Sequence, residues 1–242
     1  MTTLLLKLIA AHLVGDFMLQ PDKMCRRKYG SSLKDKLSAL VTHSVLQAIL
    51  TYIFVGWWCN WILPVCVLAC HFVIDFIKVQ SGRKDLIALV YDQIAHYIVL
   101  LLLWWLFFVK PGCQPNPADT VISSDIWLIA TSYIAVLAPT SILIKSFIDY
   151  ENWMPGDNTL KGLPNAGKWI GYIERILILT FIFTANVEGV GFLLAAKSVF
   201  RFGELNKSRD IKVTEYVLIG TLASFAIAII IGFTAQWLMN HT

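Results

Sequence analysis

Apolar residues run through this chain in long blocks, and the polar positions inside those blocks are few. Residues 87–109 are apolar except for Asp92, Gln93 and His96. About 20 apolar residues in a helix cross the hydrocarbon of a bilayer. The blocks predict eight helices, at roughly 3–20, 37–57, 62–79, 86–109, 126–148, 169–186, 189–203 and 216–238. Polar residues weaken the first and seventh, and the seventh reads as short or broken. A transmembrane β-barrel would alternate in runs of about ten residues, and this chain does not. The expected fold class is therefore all-α, a polytopic transmembrane helical bundle.

The polar positions inside the blocks form a set. Four of the five histidines lie in apolar stretches, and three of the four have an aspartate one helical turn away: His12-x3-Asp16, His71-x3-Asp75 and Asp92-x3-His96, with His43 alone. Ionisable groups in hydrocarbon are costly, so each is a functional-site hypothesis by default. Residues four apart share a helix face, so each pair points one way, and only the bundle interior avoids lipid. At 1.5 Å per residue, all seven stand within about 16 Å of the same helix ends, although the helices alternate in direction.

A repeat underlies the set. Ala11-His-Leu-Val-Gly-Asp-Phe17 matches Cys70-His-Phe-Val-Ile-Asp-Phe76 at His, Val, Asp and Phe. Each is followed by a basic turn and a His-bearing helix, which implies two hairpins oriented the same way. The expected organisation is a four-helix His/Asp-bearing membrane unit over 1–110, built from these hairpins, and a second membrane unit over 126–242.

Composition agrees. Of 242 residues, 57% are hydrophobic and 15% charged, with a mean hydropathy of +0.65; soluble domains carry about 25% charge. The net charge of +4 needs no nucleic-acid partner, because the basic residues are explained by topology. Sixteen Lys and Arg fall in or beside the loops at 21–36, 80–85, 149–168 and 204–215, against Lys110 alone in the opposite set. Basic loops stay in the cytoplasm, so both termini should face outward. Trp57, Trp58, Trp61, Trp104, Trp105, Trp127 and Trp237 then fall at the outer interface. The first helix is not expected to be a cleaved signal. The five cysteines form no disulfide framework.

Imidazole and carboxylate together suit Zn, Mn or Fe. His12, Asp16, His43, His71, Asp75, Asp92 and His96 suffice for one divalent ion, or for two sharing a carboxylate, with zinc the first choice. The bland alternatives are structural hydrogen bonds between helices and a proton relay without metal. In the C-terminal half, Glu174, Arg175, Lys197 and Arg201 gather near the same membrane boundary. Arg and Lys near divalent ions hold phosphate; the alternative is a Glu174–Lys197 ion pair with Arg201 snorkelling.

The segments Ala11-His-Leu-Val-Gly-Asp-Phe-Met-Leu-Gln20, Thr42-His43, His71-Phe-Val-Ile-Asp75 and Asp92-Gln-Ile-Ala-His96 resemble the bacterial and phage membrane family catalogued as domain of unknown function 3307. Gly171-Tyr-Ile-Glu-Arg175, Ala195-Ala-Lys-Ser198, Arg201-Phe202, Glu215-Tyr216 and Ile219-Gly-Thr221 resemble the C-terminal portion of its longer members. The resemblance implies a bacterial inner-membrane location and no established activity.

The leading expectation is a metal-dependent membrane hydrolase at the cytoplasmic leaflet. Asp92 would be general base, and Arg175, Lys197 and Arg201 would hold a phosphate-bearing lipid or other anionic substrate. Two readings stand beside it: a cation or proton transporter using the same cluster, and a structural or phage- and defence-associated membrane protein without catalysis. Membrane lipids are the expected partners, and a homo-oligomer is left open.

Overall fold

The computed structural model describes residues 2–109, 123–153, 165–205 and 211–241, and these are helical with no strand among them. They form two compact units, Met1–Thr131 and Ser132–Thr242.

In the first unit, α1 (Thr2–Leu13) runs into a π-helical turn (Val14–Met18), closed by Leu19 N–H on Val14 O at 2.9 Å. Pro21 follows, and a short helix, α2 (Asp22–Lys28), leaves at 86°. The loop expected over 21–36 thus contains a helical turn that hydropathy did not show, because its residues are almost all polar. Next come α3 (Leu33–Val55), α4 (Ile62–Ser81) and α5 (Leu86–Trp104), the last passing into a π-helical stretch (Trp105–Val109). Gly56 and Gly82, at φ 71° and 67°, end α3 and α4 in the left-handed conformation that a Cβ disfavours. Asn60 Oδ1 accepts from Ile62 and Leu63 N–H at 2.9 and 3.1 Å to start α4. Asp85 Oδ1 accepts from Ala88 N–H at 2.9 Å to start α5.

The four long helices close a ring: α1 packs on α3, α3 on α4, α4 on α5 and α5 on α1, with α2 against α3. Their burial inverts that of a soluble bundle. Ile49, Ile53, Val65, Val73, Ile77 and Ile98 are exposed, while His12, His43, Gln47, His71, Asp92 and His96 are buried. Apolar side chains outside and polar ones inside are what a lipid solvent selects. One end of the ring is filled by Leu4, Leu8, Val55, Leu63, Val67, Leu100 and Leu103. There the buried Lys7 donates to Val55 O, in the last residue of α3, at 3.1 Å and sits 5.5 Å over the Trp127 ring.

In the second unit, the helix expected over 126–148 is broken into α6 (Ser124–Val136, which begins in the first unit) and α7 (Ala138–Tyr150). The cause is Pro139, which has no N–H for Ala135 O. Leu137 takes a non-helical ψ of −110°. Three helices complete the unit: α8 (Ala166–Phe183), α9 (Glu188–Leu205) and α10 (Ile211–His241). α10 packs on α7 and α8, and α8 on α9, around Val136, Ile178, Leu179, Ile182, Val190, Phe225 and Ala228.

Among the described residues, five helical stretches are long and apolar enough to cross a membrane: Leu33–Val55, Ile62–Ser81, Leu86–Phe107, Ser124–Tyr150 and Thr214–His241. The bent pair Thr3–Met18 and Asp22–Lys28 makes a sixth if it counts as one span. These helices fit an integral membrane protein. α8 forms near its expected bounds, and α9, expected to be short or broken, is one continuous helix; both fall outside this set, α8 for Lys168, Glu174 and Arg175 and α9 for Glu188, Lys197, Arg201 and Glu204.

Candidate metal centre

All seven His and Asp singled out in the sequence converge inside the first unit. One histidine comes from each wall of the ring: His12 from α1, His43 from α3, His71 from α4 and His96 from α5. Ring centroids lie 4.2 Å apart for His71–His96, 4.9 Å for His12–His96 and for His43–His71, and 5.7 Å for His12–His71. Each of the four is at most 3% exposed.

Asp16 is the hub. It rides on the π-helical turn, a geometry that often marks functional sites. Its Oδ1 accepts from Gln47 Nε2 at 2.5 Å and stands 3.1 Å from His43 Nε2 and 3.3 Å from His71 Nε2. Its Oδ2 accepts from Gln93 Nε2 at 3.1 Å and lies 3.7 Å from His12 Nε2. Gln93 Oε1 is then free to accept from His12 Nε2–H at 3.3 Å. Gly15 makes this possible: a Cβ there would run into the Gln47 carboxamide, which also donates to His12 O at 3.2 Å.

The other two carboxylates carry lysines. Asp75 Oδ2 takes Lys28 Nζ at 2.5 Å, and Asp92 Oδ2 takes Lys78 Nζ at 2.6 Å. Asp75 Oδ2 is also the oxygen that faces His43 Nε2 at 3.8 Å and His71 Nε2 at 3.9 Å. Three carboxylates against two ammonium groups, with neutral imidazoles, leave one net negative charge.

Several buried polar atoms here have no hydrogen-bond partner: His43 Nδ1, His71 Nε2, His96 Nε2 and Asp92 Oδ1. His96 is the clearest case. Its Nδ1 faces Asp92 O at 2.8 Å. A carbonyl only accepts, so Nδ1 carries the proton and the Nε2 lone pair is left over. A histidine fixed through Nδ1–H with a free Nε2 is the usual form of a metal ligand. Three groups bring their donor atoms within 4.8 Å of one another: His12, Asp16 and His71; His43, His71 and Asp75; Asp16, Asp92 and His96. Donor atoms around tetrahedral zinc stand about 3.3 Å apart, which the distances of Asp16 Oδ1 to His43 and His71 already meet. A small cavity beside His12, Gln47, Thr51, His71 and His96, roofed by Leu100 and Leu103, has room for about one water-sized group.

Sequence reasoning missed Lys28, Lys78, Gln47, Gln93 and Gly15. Lys28 and Lys78 were counted only as topological charge. Gln47 carried a signal, since it stands four residues after His43 and so on the same helix face; Gln93 adjoins Asp92.

The residues expected to hold a substrate behave differently. Arg175, 3% exposed, is bound within the second unit. It donates through Nε to Val136 O, through Nη2 to Leu137 O at 3.4 Å and Ser141 Oγ at 2.6 Å, and through Nη1 to Ser224 Oγ at 2.8 Å. Thr140 Oγ1 supplies the donor that Pro139 lacks, reaching Ala135 O at 2.8 Å. Arg175 and Thr140 thus splice the broken helix. Lys197 pairs with Glu174 Oε2 at 2.5 Å. The side chain of Arg201 lies outside the described residues.

Fold and cluster together fit an integral membrane protein, helical in its described residues, with a buried His/Asp/Lys centre. Residues 4–117, which include every residue of that centre, match the model of the family described as "Protein of unknown function (DUF3307)". No curated protein and no solved structure matches the chain.

Proposed function

We propose that the first unit is a divalent-cation site within the membrane, zinc by preference, and that the bound ion serves hydrolysis of an anionic, phosphate-bearing substrate. The observation that carries the reading is the set of unpartnered ligand atoms, His71 Nε2, His96 Nε2 and Asp92 Oδ1, in a ring of four buried imidazoles around Asp16. Orphaned buried acceptors are costly, and a cation satisfies them together. A divalent ion lowers the pKa of a coordinated water and polarises the bond to be cut. Arg175 and Lys197 are engaged within the second unit, and Lys28 and Lys78 are held by Asp75 and Asp92, so an anionic group at this site would have to compete with those carboxylates for the lysines.

A second reading is supported by the break between α1 and α2. An 86° bend beside a buried charge cluster is the kind of discontinuity that transporters use at ion sites. In this reading the same residues carry a cation or proton across the bilayer.

The test is elemental analysis of detergent-purified protein, wild type against His12→Ala, His71→Ala and His96→Ala. The wild type should carry about one or two equivalents of transition metal and the variants less. Metal-free wild type after zinc add-back would sink both metal readings. Zinc-dependent cleavage of phospholipid or prenyl phosphate in detergent supports the hydrolase. Zinc flux into proteoliposomes without cleavage supports the transporter.

A further inference from the structure

Lys28 stands out among the charged groups of the centre. It comes from α2, the helix set at 86° to α1 within the basic segment, yet it is 5% exposed. Its ammonium reaches back into the ring to Asp75 Oδ2 at 2.5 Å. Turned to accept, the Gln20 oxygen meets Lys28 Nζ at 2.8 Å while its nitrogen donates to Asp16 O at 3.1 Å. The oxygen that Lys28 holds is the one through which Asp75 faces His43 and His71. An ammonium on that carboxylate oxygen competes with a divalent ion for it, because the two cations repel at that range.

The candidate groups therefore differ in kind. His12, Asp16 and His71 involve no lysine. In the group of Asp16, Asp92 and His96, Lys78 occupies Asp92 Oδ2 and leaves Oδ1 without a partner. In the group of His43, His71 and Asp75, Lys28 takes the ligating oxygen itself. Resting on the cation-site reading above, we infer that the centre has two cation seats, Asp16–Asp92–His96 and His43–His71–Asp75, and that Lys28 is a tethered cation guarding the second. Loading that seat expels the Lys28 ammonium and releases α2. With the other seat already filled, one divalent ion replacing one ammonium takes the net charge of the cluster from +1 to +2, so charge opposes the exchange, the ligand atoms of His43, His71 and Asp75 must drive it, and the guarded seat loads last. Lys78 plays no such part, since Asp92 can ligate without losing it.

The experiment titrates zinc into purified full-length protein and reads stoichiometry and the reactivity of Cys25, a free, half-buried thiol on α2. The background keeps Cys25 as sole cysteine. Lys28→Met should hold about one equivalent more than the parent at the same free zinc, and Lys78→Met should not. In the parent, maleimide labelling of Cys25 should accelerate as the last equivalent loads; in Lys28→Met it should be independent of zinc. If Lys28→Met does not fold, labelling of the parent decides alone. A parent that binds zinc with no change at Cys25 overturns the guarded seat and leaves the cation site standing. A Lys28→Met protein with the parental stoichiometry does the same. If neither protein binds zinc, the cation-site reading falls and this inference with it.

Discussion

Asp16 shows at the residue scale how much one side chain can organise. Its two oxygens meet Gln47, His43 and His71 on one side and Gln93 and His12 on the other. It therefore touches groups from α1, α3, α4 and α5. The arrangement depends on Gly15, because only a residue without Cβ lets the Gln47 carboxamide cross the π-helical turn. We expect Gly15→Val to push Gln47 off Asp16 and His12 O. The loss of two buried hydrogen bonds should destabilise the protein by about 1–3 kcal/mol and lower its metal content. Thermal unfolding in detergent checks the first and elemental analysis the second. The obstacle is the end of a flexible side chain, so Gly15→Ala combined with Gln47→Ala should recover stability without recovering metal. Intact metal in Gly15→Val would remove Gln47 from the site. The seven His and Asp were legible in the sequence because hydrocarbon makes each of them expensive, and an apolar run shows them at sight. Gly15 was not: nothing local distinguishes a glycine needed for close approach from one that merely permits helix packing. Lys28 and Lys78 were hidden for a different reason. Near a membrane boundary a lysine is expected on topological grounds, and the length that lets it snorkel outward also lets it reach inward.

At the scale of elements, the four site-bearing helices were legible to within a few residues, since long apolar runs bounded by Gly56, Gly82 and Asp85 leave little freedom. α2 was not legible. Its seven residues hold Lys23, Arg26, Arg27 and Lys28, and such a run carries no hydropathic signal. The break between α6 and α7 was foreshadowed by Pro139, but its repair was invisible because Arg175 is far away in sequence. Within a bilayer, freed carbonyls must find donors inside the protein. Arg175 supplies one to Val136 O and adds a second to Leu137 O, which already accepts from Ser141 N–H, and this role explains the burial of a guanidinium better than proximity to a substrate does. Arg175→Met should therefore cost about 1–3 kcal/mol, as expected when a buried carbonyl loses its donor. The cost should shrink in a Pro139→Ala background, where the helix can close across the break. Thermal unfolding of the four proteins of this cycle is the measurement. Additive costs would mean that Arg175 and the break are independent.

For the whole molecule, the inverted burial of the first unit and the placement of its charges meet in a single question of orientation. The ring exposes isoleucine and valine and encloses imidazole and carboxylate, which fits lipid surroundings without saying which end faces the cytoplasm. The basic residues decide that. Lys23, Arg26, Arg27 and Lys34 are exposed on and after α2, and Arg83 and Lys84 are exposed in the turn from α4 to α5. The turn between α3 and α4 holds no Lys or Arg and carries exposed Trp58 and Trp61. Positive residues are retained inside, and Trp belongs at the interface. We therefore expect the turn from α3 to α4 to face outward and the α2 segment inward, with both termini outside. Cys59 is exposed in the outward turn, and Ser31, exposed after α2, is a site for a matching cysteine. In intact cells, an impermeant maleimide should label a variant whose sole cysteine is Cys59. A variant whose sole cysteine comes from Ser31→Cys should stay unlabelled until the cells are lysed. This outcome places Lys28 and Lys78 on the cytoplasmic side of the imidazole ring, so that cytoplasmic ions and anionic headgroups meet the lysines before the histidines. The reverse pattern would put the lysines at the outer leaflet. The geometry of the centre would be unaffected, but the proposal of a cytoplasmic-leaflet substrate would have to be abandoned.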